Sequence, residues 1–255
     1  MKVIRTLVRK EFVELRILGL IAAVVLCAQA AFLPPVYGHL GRAFDGMDLS
    51  GMPGHLAEAL RSVLMSFRAY AWSQWYGKNL TQVLLVFTVL FSSAGLAREA
   101  ARGTGEFLFS RPVARETVYA VKTGVGFGLL FLLTVGSTLL FIVVARLAGH
   151  DLPAGWFLSG LPASLAGMAL FYALAAALQA RACEPFRALG LSVGVIALSG
   201  LPALFEATRA YSPLYRMFGS GAAPGTVDWW GAAVLLAGAA LAYALGRRFA
   251  AGREF

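Results

Sequence analysis

Long apolar runs constrain this chain more than any other feature of its sequence. Of its 255 residues, 59% are hydrophobic and 14% are charged, whereas soluble domains carry roughly 25% charged residues. Runs of about 20 apolar residues are long enough, as helices, to cross a hydrocarbon core about 30 Å thick. They lack the period-two alternation that strands of a membrane barrel require. The sequence therefore predicts an all-α integral membrane protein.

The apolar runs predict six transmembrane helices within a domain that covers residues 17–246. The spans are expected at about 17–37, 79–97, 118–145, 156–180, 188–205 and 229–245, followed by a short tail at 247–255. Pro34 and Pro35 are expected to end the first span, because proline cannot continue the helical hydrogen-bond ladder. Small residues at four-residue spacing, such as Gly238, Ala242 and Gly246, predict close approach of helices. The pair Gly124 and Gly128 has the same spacing.

The first outer loop, residues 38–78, is long and has two different halves. Its first half is rich in turn residues, and its second half places leucines on one helical face before Trp72, Trp75 and Tyr76. This pattern is typical of an interfacial helix that leads into an aromatic belt at the membrane surface. Covering an outer vestibule and simply anchoring the chain in the membrane are both compatible with it.

The N-terminal residues 1–16 predict an amphipathic interfacial helix. Apolar side chains recur at three- and four-residue steps, while the basic side chains face elsewhere. The apolar set is Ile4, Leu7, Val8, Phe12 and Leu15. We expect this helix to lie on the inner membrane surface, attracted to anionic lipid; a solvated leader is the alternative. A cleaved signal peptide is a poorer match, since the apolar run continues to Tyr37.

The basic residues are distributed unequally between the two sides that six spans define. Fifteen of the 22 Lys and Arg residues fall on the side that carries both termini, and seven on the other. The positive-inside rule then predicts a multi-pass protein of the cell (inner or plasma) membrane with both termini in the cytosol. Since the net charge of +9 follows this sidedness, no nucleic-acid partner is expected.

The densest polar cluster after the N-terminus is the stretch Arg98–Lys122, between the second and third spans. It contains five basic and three acidic residues. Gly103 and Gly105 weaken a helix there, Arg111-Pro112 stops or bends it, and a new helix restarts at 115–122 into the third span. Mixed charge suits docking into a polar groove of another protein. The alternative is an ordinary positive-inside loop.

The sequence lacks the motifs that would power transport within this chain. It has no phosphate-binding loop, no H-E-x-x-H and no Cys/His ligand cluster. The middles of the spans also lack the carboxylates or histidines that ion-coupled carriers place there. Gly190–Gly194 matches G-x-S-x-G, but it lies in a predicted span without a histidine partner, so we interpret its glycines as a packing face.

Three sequence features together resemble the type-2 ATP-binding-cassette transporter permeases. Within Glu99–Arg115, the segments Gly103-Thr104-Gly105-Glu106-Phe107-Leu108 and Ser110-Arg111-Pro112-Val113 look like that family's coupling region. Tyr211-Ser212-Pro213-Leu214 resembles its outer S-P turn, and Arg9-Lys10-Glu11 fits its basic start. Gly105 and Phe109 stand where the family often has leucine.

The resemblance implies a permease subunit, in most cases of an exporter, that performs no chemistry itself. It implies a second permease copy and separate nucleotide-binding ATPase subunits, with ATP and Mg on those partners and no cofactor or metal on this chain. The cytosolic coupling helix would lie in the coupling region 98–117. The implied ATPase contacts there are Glu99, Arg102, Gly103, Thr104, Glu106, Phe107, Arg111, Pro112 and Arg115, with a second inner contact at Arg181, Glu184 and Arg187.

Two other function classes remain open. A standalone secondary carrier would be driven by an ion gradient and would need an ionisable group at mid-membrane depth. An intramembrane enzyme would need catalytic groups at a common depth, and only Gly190–Gly194 offers such a pattern.

Overall fold

The computed structural model describes residues 2–44, 53–54, 66–93, 114–182 and 184–252, which are mostly helical and contain no strand. The helices are α1 (Lys2–Phe44), α2 (Phe67–Gln74), α3 (Leu80–Ser93), α4 (Arg115–Leu147), α5 (Ala154–Leu158), α6 (Leu161–Arg181), α7 (Pro185–Gly200), α8 (Pro213–Tyr215) and α9 (Trp229–Ala251). A π-helical turn, Trp75–Asn79, joins α2 to α3, and another, Arg216–Ser220, follows α8. The all-α prediction is confirmed.

Within the described parts of the chain, five helical segments are long and apolar enough to cross a membrane. They are Ile4–Leu40, Arg115–Leu147, Ala154–Arg181, Phe186–Leu204 and Trp229–Ala251, and they support the multi-pass membrane character. The second predicted span, 79–97, is helical over Leu80–Ser93, and its last residues lie outside the described part of the chain. Six spans therefore stay a prediction.

Helices α3 and α6 form the centre of the bundle. Helix α6 packs against α3, α4, α7 and α9, while α3 also contacts α1, α4 and α7. A Cβ atom added at Gly246 of α9 would lie 3.1 Å from the Ala177 Cα of α6, so the small residue permits this close approach. This confirms the packing prediction for Gly246. A Cβ at Gly124 or Gly128 would meet no atom of the described chain within 4 Å.

Helix α1 is continuous from Lys2 to Phe44, so the prediction that Pro34 and Pro35 end it was wrong. Residues 4–16 belong to the same helix, and Leu7 and Leu15 lie on the same buried face as Ala22 and Leu26; their interfacial position stays a prediction. The helix also continues through the two prolines. Neighbouring side chains contact the carbonyl groups beside them: the Tyr70 hydroxyl donates to Leu33 O over 3.3 Å.

The carbonyl of Pro34 has a neighbour of its own, His150, which lies in the turn after α4. Its Nε2 atom is 3.1 Å from Pro34 O, and its ring stacks on Phe67 with the centroids 4.0 Å apart. Burial raises the pKa of Tyr70. These contacts attach the proline-containing turn of α1 to α2 and to the turn after α4.

The aromatic residues predicted to form an interfacial belt lie in the core instead. Trp75 and Tyr76 are fully buried. The Trp75 indole donates to the Thr138 hydroxyl over 3.1 Å, and the Tyr76 hydroxyl donates to Phe157 O over 2.8 Å. Since both polar atoms are hydrogen-bonded inside the bundle, the burial of these rings leaves neither atom unsatisfied. The belt prediction was wrong for these two residues.

The Ser212-Pro213 turn attaches the segment between α7 and α9 to the end of α7. The buried Ser212 hydroxyl donates to Ser199 O over 2.9 Å and accepts from the backbone N–H of Tyr215 over 3.2 Å. Serine at the N-cap and proline in the first turn are both common at the start of a helix. The segment is tied further by the ion pair of Arg216 with Asp228, at 2.7 Å.

Candidate functional site: the charged end of the bundle

One end of the bundle collects the start of α1, the start of α4, and the last turns of α6 and α9. A buried cluster joins these four elements, and its members are Leu7, Val118, Tyr119, Ala176, Ala180 and Ala250. Both described ends of the chain therefore lie at the same end of the bundle. We call it the charged end.

Basic side chains concentrate at the charged end. Among the described residues it carries Arg5, Arg9, Lys10, Arg16, Arg115, Lys122, Arg181, Arg187, Arg247 and Arg248. The opposite end holds Arg68, Lys78, Arg146, Arg209 and Arg216, of which Arg68 pairs with Asp151 and Arg216 with Asp228. The arrangement follows the two sides that the sequence assigns.

The coupling region connects two helices at the charged end. Phe91 and Ser92, close to the last residue of α3, line the same cavity as Lys122 of α4, and Arg115 is the first residue of α4. The restart of a helix at 115 is confirmed. Residues 98–113, which include eight of the nine predicted ATPase contacts, lie outside the described residues. Those contacts are Glu99, Arg102, Gly103, Thr104, Glu106, Phe107, Arg111 and Pro112.

The second predicted contact lies at the same end, where α6 gives way to α7. Arg181 is the last residue of α6, Glu184 precedes the first turn of α7, and Arg187 lies in that turn; all three are exposed. The Arg181 guanidinium lies over the Phe249 ring of α9, 5.7 Å from its centroid. The structure thus places these three residues on the same end of the bundle as Arg115.

A buried ion pair joins α1 to α4 directly beneath this surface. The Lys122 Nζ atom lies 2.7 Å from Glu11 Oε1, and the two side chains are only 5% and 2% exposed. Glu14, one helical turn further along α1, has Oε2 at 4.0 Å from the same ammonium group and is 27% exposed. Lys10 approaches Glu14 at 3.5 Å. Two carboxylates of α1 therefore flank a single lysine of α4.

A small polar cavity lies beside this pair, with a volume of about 20 Å³. That is room for about one water molecule. Besides the ion pair, its polar lining consists of Ser92, Tyr119, Thr123, Tyr172 and Gln179. The α1–α4 junction is thus a small pocket closed by two further helices, α3 and α6, with one charged side chain from α1 and one from α4.

A second, exposed ion pair ties α4 to α9. Glu116, in the first turn of α4, pairs with Arg247, and both side chains are almost half exposed. The first two turns of α4 are therefore attached to the first helix by Lys122 and to the last helix by Glu116. Any displacement of Arg115 by the segment before it would act on both attachments.

Sequence reasoning missed the Glu11–Lys122 pair. Glu11 was assigned only to the basic start Arg9-Lys10-Glu11, and Lys122 only to the polar stretch Arg98–Lys122. A signal was present, because Glu11 lies four residues after Leu7 and four before Leu15, which places it on the same stripe of a helix as two buried leucines. A charge on a buried stripe requires a partner of opposite sign.

The described residues give little support to a metal site or to an intramembrane enzyme. They contain no group of three or more His, Cys, Asp or Glu that could hold a metal ion. Ser192 of the G-x-S-x-G pattern is buried within α7, where its hydroxyl donates to Ala188 O over 2.8 Å, a bond typical of serine inside a helix.

No family model, no curated protein and no solved structure matches the chain.

Proposed function

We propose that this chain is the membrane-spanning permease subunit of an ATP-binding-cassette transporter, an exporter by its resemblance. The observation that carries the proposal is the position of the helix ends on either side of the predicted coupling region. Both of its flanks, Ser92 of α3 and Arg115 of α4, belong to the charged end, where basic residues predominate and where the positive-inside rule places the cytosol. A cytosolic ATPase would meet the chain there.

The attachments of α4 supply a route for force. A push on the coupling region would displace Arg115 and Glu116, and through the Glu11–Lys122 and Glu116–Arg247 pairs it would reach α1 and α9. Coupling between distant sites travels through packed elements with more than one arrangement. In this proposal ATP and Mg bind the partner, and a second permease copy completes the translocation path.

A standalone secondary carrier is the alternative, and the depth of the charges argues against it. Between residues 17 and 38 of α1, and between 123 and 145 of α4, the sequence contains no Asp, Glu, Lys, Arg or His. The buried Glu11–Lys122 pair lies at the charged end, two turns or fewer from Arg115 and Glu116. Ion-coupled carriers bind their driving ion near the bilayer midplane.

Co-purification with a candidate ATPase tests the proposal. We expect Glu106→Lys and Arg111→Glu, which reverse charge in the coupling region, to reduce both ATPase capture and ATP-driven transport in proteoliposomes at least tenfold. The matched control is Glu206→Lys, an exposed charge reversal at the opposite end of the bundle, which should leave assembly and transport unchanged.

Two results would contradict the proposal. Unchanged assembly and unchanged transport in both coupling-region variants would remove the proposed contact. Transport by the purified chain alone, driven by an imposed ion gradient and indifferent to ATP, would establish the secondary carrier instead.

A further inference from the structure

The Glu11–Lys122 pair is difficult to explain as a device for stability alone. Removing two charges from water costs several kcal/mol per ion, and apolar residues of similar volume often serve a fold as well or better. Both side chains are nearly inaccessible, so the full desolvation cost applies. An ion pair at this position is therefore better explained by something that only charged groups can do.

A second carboxylate is already within reach of the lysine. Glu14 Oε2 lies 4.0 Å from Lys122 Nζ, against 2.7 Å for Glu11 Oε1. Three residues separate the two glutamates, which corresponds to a rise of roughly 4.5 Å along α1 and a rotation of about 60° around it. A short slide or turn of α4 against α1 exchanges one partner for the other without leaving the ammonium group unpaired.

The surroundings of the lysine favour such an exchange. Glu11 is buried, whereas Glu14 is 27% exposed, so the two positions differ in how deeply the pair is desolvated. The adjoining cavity of about 20 Å³ has room for one water molecule, which can solvate the ammonium group while it passes between carboxylates. Lys10, at 3.5 Å from Glu14, compensates that carboxylate when Lys122 is on Glu11.

We propose that Glu11, Glu14 and Lys122 form a two-position ion-pair switch that sets the register of α4 against α1. In the position seen here Lys122 is on Glu11, and in the second it is on Glu14. For its role in transport the switch rests on the proposed function: Lys122 lies two turns after Arg115, on the helix that leaves the coupling region. The three side chains are positioning residues, since none of them contacts a substrate.

The switch itself is testable without any ATPase. Val13 of α1 and Leu132 of α4 are 47% and 67% exposed, so cysteines there can carry spin labels in a Cys27→Ser, Cys183→Ser background. Label distances are measured by pulsed electron resonance on the full chain in lipid nanodiscs. Glu14→Gln holds Lys122 on Glu11, whereas Glu11→Gln leaves Glu14 as its carboxylate. We expect the mean distances of these variants to differ by about 1 Å or more, because Glu14 must close from 4.0 Å to bonding distance; equal distances would overturn the switch.

Transport by the complex with its ATPase tests the functional role. We expect Glu14→Gln to keep the melting temperature of the wild type and to lower ATP-driven transport at least tenfold, with recovery in Glu14→Asp. A merely structural role for this half-exposed side chain would leave transport unchanged, and that result would overturn the role. Arg9→Gln, an exposed charge on the same helix, is the matched control and should transport normally.

Failure of the switch and failure of the proposed function give different results. If the wild-type chain captures no ATPase and shows no ATP-driven transport, the proposed function fails, and the label distances still decide whether two positions exist. If the complex transports normally and both glutamine variants give one distance, the switch fails while the proposed function stands.

Discussion

At the scale of single residues, the molecule depends most on a lysine that the surrounding helices keep from water. Removing one partner of a buried ion pair leaves an uncompensated charge, which destabilises the fold far more than replacing both partners by apolar residues. Lys122 and Glu11 are buried together, whereas Glu116, in the first turn of α4, and Arg247 of α9 are almost half exposed. The two pairs therefore offer a comparison within one protein.

We expect Lys122→Met to lower the free energy of unfolding by about 3–5 kcal/mol, because Glu11 is left buried without its cation. Thermal unfolding in detergent measures this as a fall in Tm. The control is Arg247→Gln, at an exposed pair of the kind that contributes little, and its Tm should match the wild type. The double variant Glu11→Leu/Lys122→Met should recover most of the loss; a double variant as unstable as Lys122→Met would contradict this account.

At the scale of helices, close approach depends on where small residues meet a neighbour. Gly246 of α9 faces Tyr119 and the backbone of Ala177, while Gly128 of α4 faces open space in the described chain. The sequence spacing is the same for both stripes. The four-residue spacing of small residues predicts a helix face that is suited to close packing. Whether another helix packs on that face depends on the tertiary arrangement.

We expect Gly246→Leu to destabilise the bundle by about 1–3 kcal/mol, since the added side chain must displace Tyr119 and α6. Gly128→Leu should change Tm by much less, because its Cβ meets no atom within 4 Å. Thermal unfolding of the two variants side by side measures the difference. If Tm falls equally in both variants, the loss of stability comes from leucine itself at these helix positions and not from the α6–α9 contact.

Some features of the helices follow from the sequence, and others depend on contacts between distant segments. The helical class and the start of a helix at Arg115 follow from hydropathy and turn chemistry. The continuity of α1 through Pro34 and Pro35 does not follow, because two adjacent prolines predict the end of a helix. The burial of Trp75 and Glu11 depends on partners, Thr138 and Lys122, that are far away in sequence.

At the scale of the whole molecule, the unequal charge of the two ends defines an orientation. Among the residues whose side chains the structure describes, the basic residues at the charged end outnumber those at the other end by ten to five, and the positive-inside rule predicts that the charged end faces the cytosol. Elements close to the two described chain ends meet there in a single buried cluster. The side of the membrane that this end faces is therefore a testable prediction.

We expect a cysteine at Ala210 to react with a membrane-impermeant maleimide in intact cells, and one at Ala251 to react only after lysis. Both positions are exposed and lie at opposite ends of the bundle, and the positive-inside rule places the second in the cytosol. Cys27→Ser and Cys183→Ser remove the native thiols. Labelling of Ala251→Cys in intact cells, with Ala210→Cys protected, would invert the orientation and with it the cytosolic position of the coupling region.

The π-helical turn Trp75–Asn79 gives the end of the bundle opposite the charged end a property of its own. It packs against the segment Arg216–Ser220, in which Gly219 has a left-handed backbone with φ +71°, and it holds one residue more than an α-helical turn would. Tightening this turn into α-geometry would rotate Trp72 by about 100° relative to α3 and move its ring off Gly219, whose added Cβ would lie 3.3 Å from that ring. The extra residue of one turn thus determines how the aromatic core fits against the segment that precedes α9.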